Sequence, residues 1–145
     1  MSSDPFVPTL KEWIEVSMQH SMRNFLRFAR ESGLSMSHLG AIFHIHQIGS
    51  CGVTEIGEHL GVTSAAASQM LDRLVQQGFV LRTEDPEDRR VKQIALTNQG
   101  QRILSEGIRA RESWLDELAE TLSAPERETI TSALSMLISR VNQLA

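Results

Sequence analysis

Apolar positions recur every three or four residues over 9–31, at Leu10, Trp13, Ile14, Met18, Met22, Phe25, Leu26 and Ala29. That spacing predicts a long first helix. Thr9 and Glu12 have capping-box spacing at its start, and Gly33 supplies a stop. A second helix is predicted over 35–48, with Leu39, Ile42, Phe43, Ile45 and Ile48 inside, and "GSCG" breaks it. A short helix follows over 54–60 and ends at Gly61. After only "VT", another begins at Ser64 and runs to about residue 77, before Gly78. The period then changes to two. "FVLRT" and "RVKQIALT" alternate as strands do, with Ile94 and Leu96 on one side and Gln93 and Ala95 on the other. Helical spacing returns near Thr97 with Ile103, Leu104, Ile108, Leu115, Leu118 and Leu122. A last helix starts at "SAPE" and carries Ile130, Leu134, Leu137, Ile138, Val141 and Leu144. Ser123 and Glu126 again have capping-box spacing, with Pro125 in the first turn, where its missing N–H costs nothing.

The order α-α-α-α-β-β-α-α describes a mainly α fold. Two helices joined by a short glycine-containing turn form a helix-turn-helix, and the hairpin after them makes it a winged helix-turn-helix over 35–96. The outer helices, in 1–34 and 97–145, have apolar faces broader than this middle block can cover. Pairing with a second copy of the chain in a two-fold contact would cover them, making these segments a dimerisation region. An intramolecular bundle is the alternative.

Composition narrows the picture. The chain of 145 residues has no tyrosine and 5% aromatic residues, so its core is built from aliphatic side chains and methionine. Net charge is −4, yet residues 62–102 sum to +1 while the segments before and after sum to −2 and −3. Local charge decides what such a surface attracts. The single Cys51 excludes an internal disulfide, and the N-terminal residues show neither the basic nor the apolar part of a secretory signal. With no apolar run of membrane-spanning length, the expected location is cytoplasmic, away from membranes. No phosphate loop, H-E-x-x-H or G-x-S-x-G is present, so neither an enzyme nor a cofactor is expected. His20, His38, His44 and His46 suggest a metal only superficially. His44 and His46 stand two apart on one helix, about 200° around its axis, and cannot chelate together.

The chemistry lies in the middle block. Ala67, Leu71 and Leu74, with Met70 and Val75 at the edge, make the inward face of the helix at 64–77. The outward face is Ser64, Ala65, Ser68, Gln69, Asp72, Arg73 and Gln76: small at its start, then polar and nearly uncharged. Small residues admit a helix closely to a major groove, and Ser and Gln can both donate to and accept from base edges. Arg73, further along, suits the phosphate backbone. At the hairpin tip, "EDPEDRR" sets Arg89 and Arg90 where a wing would enter a minor groove, whose narrow width concentrates negative potential. Arg82 and Lys92 flank the tip. Asp85 and Asp88 are expected to hold a tip arginine in place through a bidentate pair.

The stretch "TEIGEHLGVTSAAASQMLDRLVQQGFVLRTEDPEDRRVKQIALTNQG" resembles the MarR family of winged-helix regulators. "LDRLVQQGFVLR", "DPEDRR" and "LTNQG" carry that family's signature in order and spacing, and the flanking helices match its layout. The resemblance implies a homodimer reading a palindromic site in double-stranded DNA, commonly as a repressor released by a small aromatic or phenolic effector. It makes Thr63, Ser64, Ala65, Ala66, Ser68 and Gln69 the start of the recognition helix and Arg73 a backbone contact. Asp85 and Asp88 become the wing acids, and Arg89 or Arg90 the groove arginine. It further suggests a ligand pocket lined by His20, Phe25, His44 and Arg109. The family's peroxide sensors carry a cysteine in the first helix; this chain has none there, and Cys51 is expected to be a packing residue. The rival reading is a winged helix that docks protein instead of DNA.

Overall fold

The computed structural model describes residues 4–90 and 92–144. Residues 1–3, Val91 and Ala145, which fall within segments read as dimerisation helices and hairpin, lie outside the described residues. The described chain is mainly helical: α1 (Phe6–Ser32), α2 (Met36–Ile48), β1 (Ser50–Cys51), α3 (Val53–Leu60), α4 (Ser64–Gln76), β2 (Val80–Glu84), β3 (Lys92–Leu96), α5 (Asn98–Glu112), α6 (Trp114–Thr121) and α7 (Ala124–Val141). It divides into two compact units, the first ending at Arg111 and the second beginning at Glu112.

In the first unit the core is mostly aliphatic. Leu39, Ile42, Ile45, Ile56, Leu71, Leu74, Val80 and Ile94 are its largest fully enclosed side chains. A three-stranded antiparallel sheet of order β1-β3-β2 closes it. Val80, Ile94 and, in part, Leu96 turn inward, so the alternation read across β3 places Ile94 and Leu96 on the core side as expected. The strand β1 is new: only two residues long, it pairs Ser50 with Ala95 and Cys51 with Ile94 where the sequence suggested a mere break.

Two helix boundaries differ from the sequence reading. The first helix begins at Phe6, not Thr9, because Asp4 Oδ1 accepts from the Phe6 N–H at 2.9 Å and Pro5 already holds helical dihedrals. The helix predicted from Thr97 through Leu122 is interrupted at Ser113 and forms α5 and α6. The other signals act as read. Gly33 ends α1 in the left-handed region at φ 69°, and Glu126 accepts from both the N–H and the hydroxyl of Ser123 at 2.8 and 2.7 Å. At the start of α2 a capping box uses histidine where Glu or Gln is usual. Ser35 Oγ accepts from the His38 N–H, and His38 Nδ1 accepts from the Ser35 N–H, each at 3.2 Å.

Candidate nucleic-acid interface

The turn between α3 and α4 is made by residues that leave no room for alternatives. Gly61 takes φ 66°, and a Cβ on Gly57 would sit 3.1 Å from the Val62 carbonyl oxygen. The two helices therefore meet through Gly57 and the buried Ala67. Thr63 caps α4, its Oγ1 accepting from the Ala66 N–H at 3.2 Å. Ala67, Leu71 and Leu74 anchor the helix in the core, which turns Thr63, Ser64, Ala65, Ala66, Gln69 and Arg73 to solvent while Ser68 is half-buried. The first two turns of α4 thus present small and neutral polar groups, and the N-terminus of such a helix favours an anion.

Asp72 is the one acid on that face, and it does not stand alone. Its carboxylate forms an ion pair with Arg82 of β2, so Arg82 ties the strand to the helix instead of flanking the wing as a free cation. The charge of Asp72 is a hint in the sequence, since Arg82 is the single cation on β2. The pair also cancels the negative charge that would repel a phosphate.

The wing places its charged residues differently from the sequence expectation. Asp85 and Asp88 shape the turn through main-chain and amide groups. Asp85 Oδ1 accepts from the Glu87 N–H at 2.8 Å and Oδ2 from Gln93 Nε2 at 2.8 Å. Asp88 Oδ1 accepts from the backbone N–H of Arg90 at 3.0 Å, not from its guanidinium. The reason is proximity: in a tight turn the N–H two residues on lies nearer a carboxylate than the end of a long side chain does. Lys92 pairs with Glu84 across the strands at 2.8 Å. Arg89 and Arg90 are exposed, and no ion pair to either guanidinium occurs among the described residues.

The proposed ligand residues are not brought to one cavity. Phe25 is spent in the core, edge-on to Phe43 at 6.2 Å and stacked on Phe28 at 6.5 Å. His44 stacks on His59 of α3, centroids 3.7 Å apart, leaving its Nε2 buried and without a hydrogen-bond partner among the described residues. His20 Nδ1 lies 2.9 Å from Arg23 Nη2, and Arg109 is exposed on α5. A groove of about 790 Å³ does run along α1 and the start of α2. Its walls are Met18, Met22, Leu26, Leu34 and Met36, with Arg23 and Arg30 among the polar lining; none of the four expected residues contributes. Cys51 is enclosed, and burial, with Glu55 second, pushes its thiol up to about 11. Among the described residues no group of three or more His, Cys, Asp and Glu could hold a metal, and no helix is long and apolar enough to cross a membrane.

A helix-turn-helix with a three-stranded wing defines a class of DNA-binding regulator, and the comparisons with known proteins agree. Residues 34–92 match the model of the MarR family. The HTH-type transcriptional repressor MdtR of Bacillus subtilis is 26% identical over 125 residues, covering 86% of this chain and 81% of that protein. In structure, the transcriptional regulator Tm0710 of Thermotoga maritima superposes with a TM-score of 0.81 at 22% identity, covering 97% and 96% of the two chains. A cysteine mutant of Escherichia coli MarR in complex with operator DNA superposes at 0.58 with 25% identity, covering 93% and 99%. Over its winged helix-turn-helix the chain thus matches the MarR family, regulators that bind DNA and are not enzymes.

Proposed function

We propose that the chain is a homodimeric repressor of a palindromic operator, with α4 in the major groove and the wing in the minor groove. One observation carries this reading: the start of α4 is exposed, small and without acids, while the two guanidinium groups of the wing tip have no acidic partner among the described residues. Thr63, Ser64, Ala65, Ala66, Ser68 and Gln69 then face base edges, Arg73 the backbone, and Arg89 and Arg90 the minor groove. Lys92, already paired with Glu84, contributes less than a free cation. The relatives support the same use, since MdtR is named a repressor and the E. coli MarR structure holds operator DNA.

Dimerisation is supported by what the chain leaves uncovered. Of the α1 stripe only Phe25 and Ala29 are buried, whereas Met18 is 63% exposed; on α7, Ile138 and Val141 are each 60% exposed. Apolar surface repeated along a helix on this scale marks an association face. The segments 1–34 and 97–145 supply it, and 35–96 reads the DNA. Release by a small aromatic acid is supported by the groove on α1 and α2. Its volume lies in the range of ligand pockets, and Arg23 and Arg30 suit a carboxylate.

Anisotropy titration of labelled DNA from upstream of the protein's own gene, beside a scrambled duplex and at two salt concentrations, tests the reading. Tight binding at two chains per site to the first duplex, with weak and salt-sensitive binding to the second, is expected. Gln69→Ala should then change preference among sites by about 1–3 kcal/mol at the affected base pair. Equal and weak binding to every duplex, including duplexes selected from random sequence, would move the winged helix to the protein-docking class.

A further inference from the structure

The outward face of the sheet carries a connected run of polar groups that base and backbone contacts leave unused. Ser50 Oγ of β1 donates to Gln93 Oε1 at 2.9 Å. Gln93 Nε2 of β3 donates to Asp85 Oδ2 at 2.8 Å, and Asp85 Oδ1 accepts from the Glu87 N–H at 2.8 Å. Chemistry settles the direction of the links. An ionised carboxylate only accepts, so the amide nitrogen must face Asp85, which leaves the amide oxygen for the Ser50 hydroxyl. Thr83 lies opposite Gln93, so Thr83, Asp85 and Gln93 fall on one face of the sheet. Arg82, Glu84 and Lys92 lie on the other, where Arg82 reaches Asp72.

The ladder between β2 and β3 ends at the pair Glu84 and Lys92. Beyond it, Asp88 bonds only within the turn. Among the described residues the bond from Gln93 is therefore the side-chain link from the tip back to the body of the sheet. Gln93 is half-buried, and a hydrogen bond to a charged acceptor is of the stronger kind.

We infer that Gln93 is a positioning residue of the wing. By engaging Asp85 it sets the angle at which the tip leaves the sheet, and it keeps that carboxylate from closing on Arg89 or Arg90, so both guanidinium groups stay available to DNA. Ser50, by occupying the amide oxygen, holds the amide in the orientation that Asp85 needs. The inference rests on the reading of the wing as a DNA contact.

The test is a coupling measurement on the whole protein. Gln93→Met removes the donor at similar length, and Gln93→Glu keeps the shape but sets a second carboxylate against Asp85. Each is made alone and together with the pair Arg89→Ala and Arg90→Ala. Binding is read by anisotropy on a labelled duplex that the wild-type protein selects from random sequence, across a salt series, with circular dichroism melts to confirm folding. In the wild-type background, loss of both arginines should weaken binding roughly tenfold or more at low salt and flatten the salt dependence. In either Gln93 background the same loss should shrink to less than about threefold, because the arginines are already misplaced. Equal losses in both backgrounds, with unchanged salt slopes, would overturn the inference and leave Gln93 a residue of sheet stability alone. Should the Gln93 variants not fold, Ser50→Ala frees the amide and must move the coupling in the same direction. A wild-type protein whose binding ignores the two arginines refutes the DNA-reading wing itself, and does so without any change at Gln93.

Discussion

Replacing Gly100 by alanine would set a Cβ 2.1 Å from the carbonyl oxygen of Phe79 and 3.1 Å from its carbon. An unstrained carbon–oxygen contact is roughly 3.3 Å, so about 1 Å of movement is needed. The opposing atoms are backbone, and they are occupied. The Phe79 oxygen accepts from the Thr97 N–H at 3.0 Å, and the Phe79 N–H donates to Leu74 at 2.9 Å. Thr97 in turn caps α5 by accepting from the Gly100 N–H at 3.0 Å and donates its hydroxyl to the Gly78 carbonyl. Overpacking of this kind costs about 1–3 kcal/mol, and loss of a threonine cap about 1 more. A destabilisation of about 3 kcal/mol is a large share of the roughly 5–15 kcal/mol of a typical domain. Urea unfolding at fixed protein concentration measures it; with a slope of about 1–3 kcal/mol per molar, the midpoint should fall by about 1 M or more. Gly107→Ala is the control. Its Cβ would meet the Phe28 ring at 3.1 Å, a side chain that can tilt, and alanine restores about 1 kcal/mol of helix propensity. A Gly100→Ala unfolding free energy within about 0.5 kcal/mol of wild type, or equal losses at the two glycines, would refute the distinction between backbone and side-chain obstruction.

Burial, and then the charge of Arg73, hold His38 below its ordinary 6.5. The unfolded chain therefore binds the proton more readily, so this contribution to stability is complete above pH 6.5 and is lost as pH falls through the lowered folded value. His38→Gln, which can still accept from Ser35, should flatten that part of the curve between pH 7 and 5 in denaturation midpoints; an unchanged slope would assign it to other groups. The Arg82–Asp72 pair is about half exposed, so a double-mutant cycle on stability should return only about 0.2–1 kcal/mol, while the charge-swapped pair should restore DNA binding lost in either single reversal. Failure of that restoration would remove the pair from the interface. Cys51, 2% exposed with its thiol near 11, should react with a thiol reagent at pH 8 only as fast as the protein unfolds, and rapid native labelling would contradict an inert packing role.

Much of this architecture is written in local periodicity. The three-residue and four-residue spacing of Ala67, Leu71 and Leu74 marks the buried face of α4, and alternation alone separates Ile94 from Gln93. Features that depend on two distant segments were not visible. A two-residue strand such as β1 has no period to detect, and it exists because β3 has a free edge beside it. The break at Ser113 lies in "RESWLDE", where no glycine or proline interrupts the helical pattern. Asp72 and Arg82 are plain charges in the sequence, and only the path of β2 past α4 makes them partners. The aromatic contacts of the expected pocket residues also depend on distant segments: Phe25 packs on Phe43, and His44 stacks on His59.

The core shared by Leu71, Leu74, Val80 and Ile94, with the Arg82–Asp72 tie beside it, makes one gauge of two contact elements. If α4 sits in a major groove and the wing in the neighbouring minor groove, the distance between them is set by the protein, not adjusted to the duplex. Binding would then respond to helical twist as well as to base sequence, and an operator overwound or underwound by supercoiling would present the same letters at a spacing the protein no longer fits.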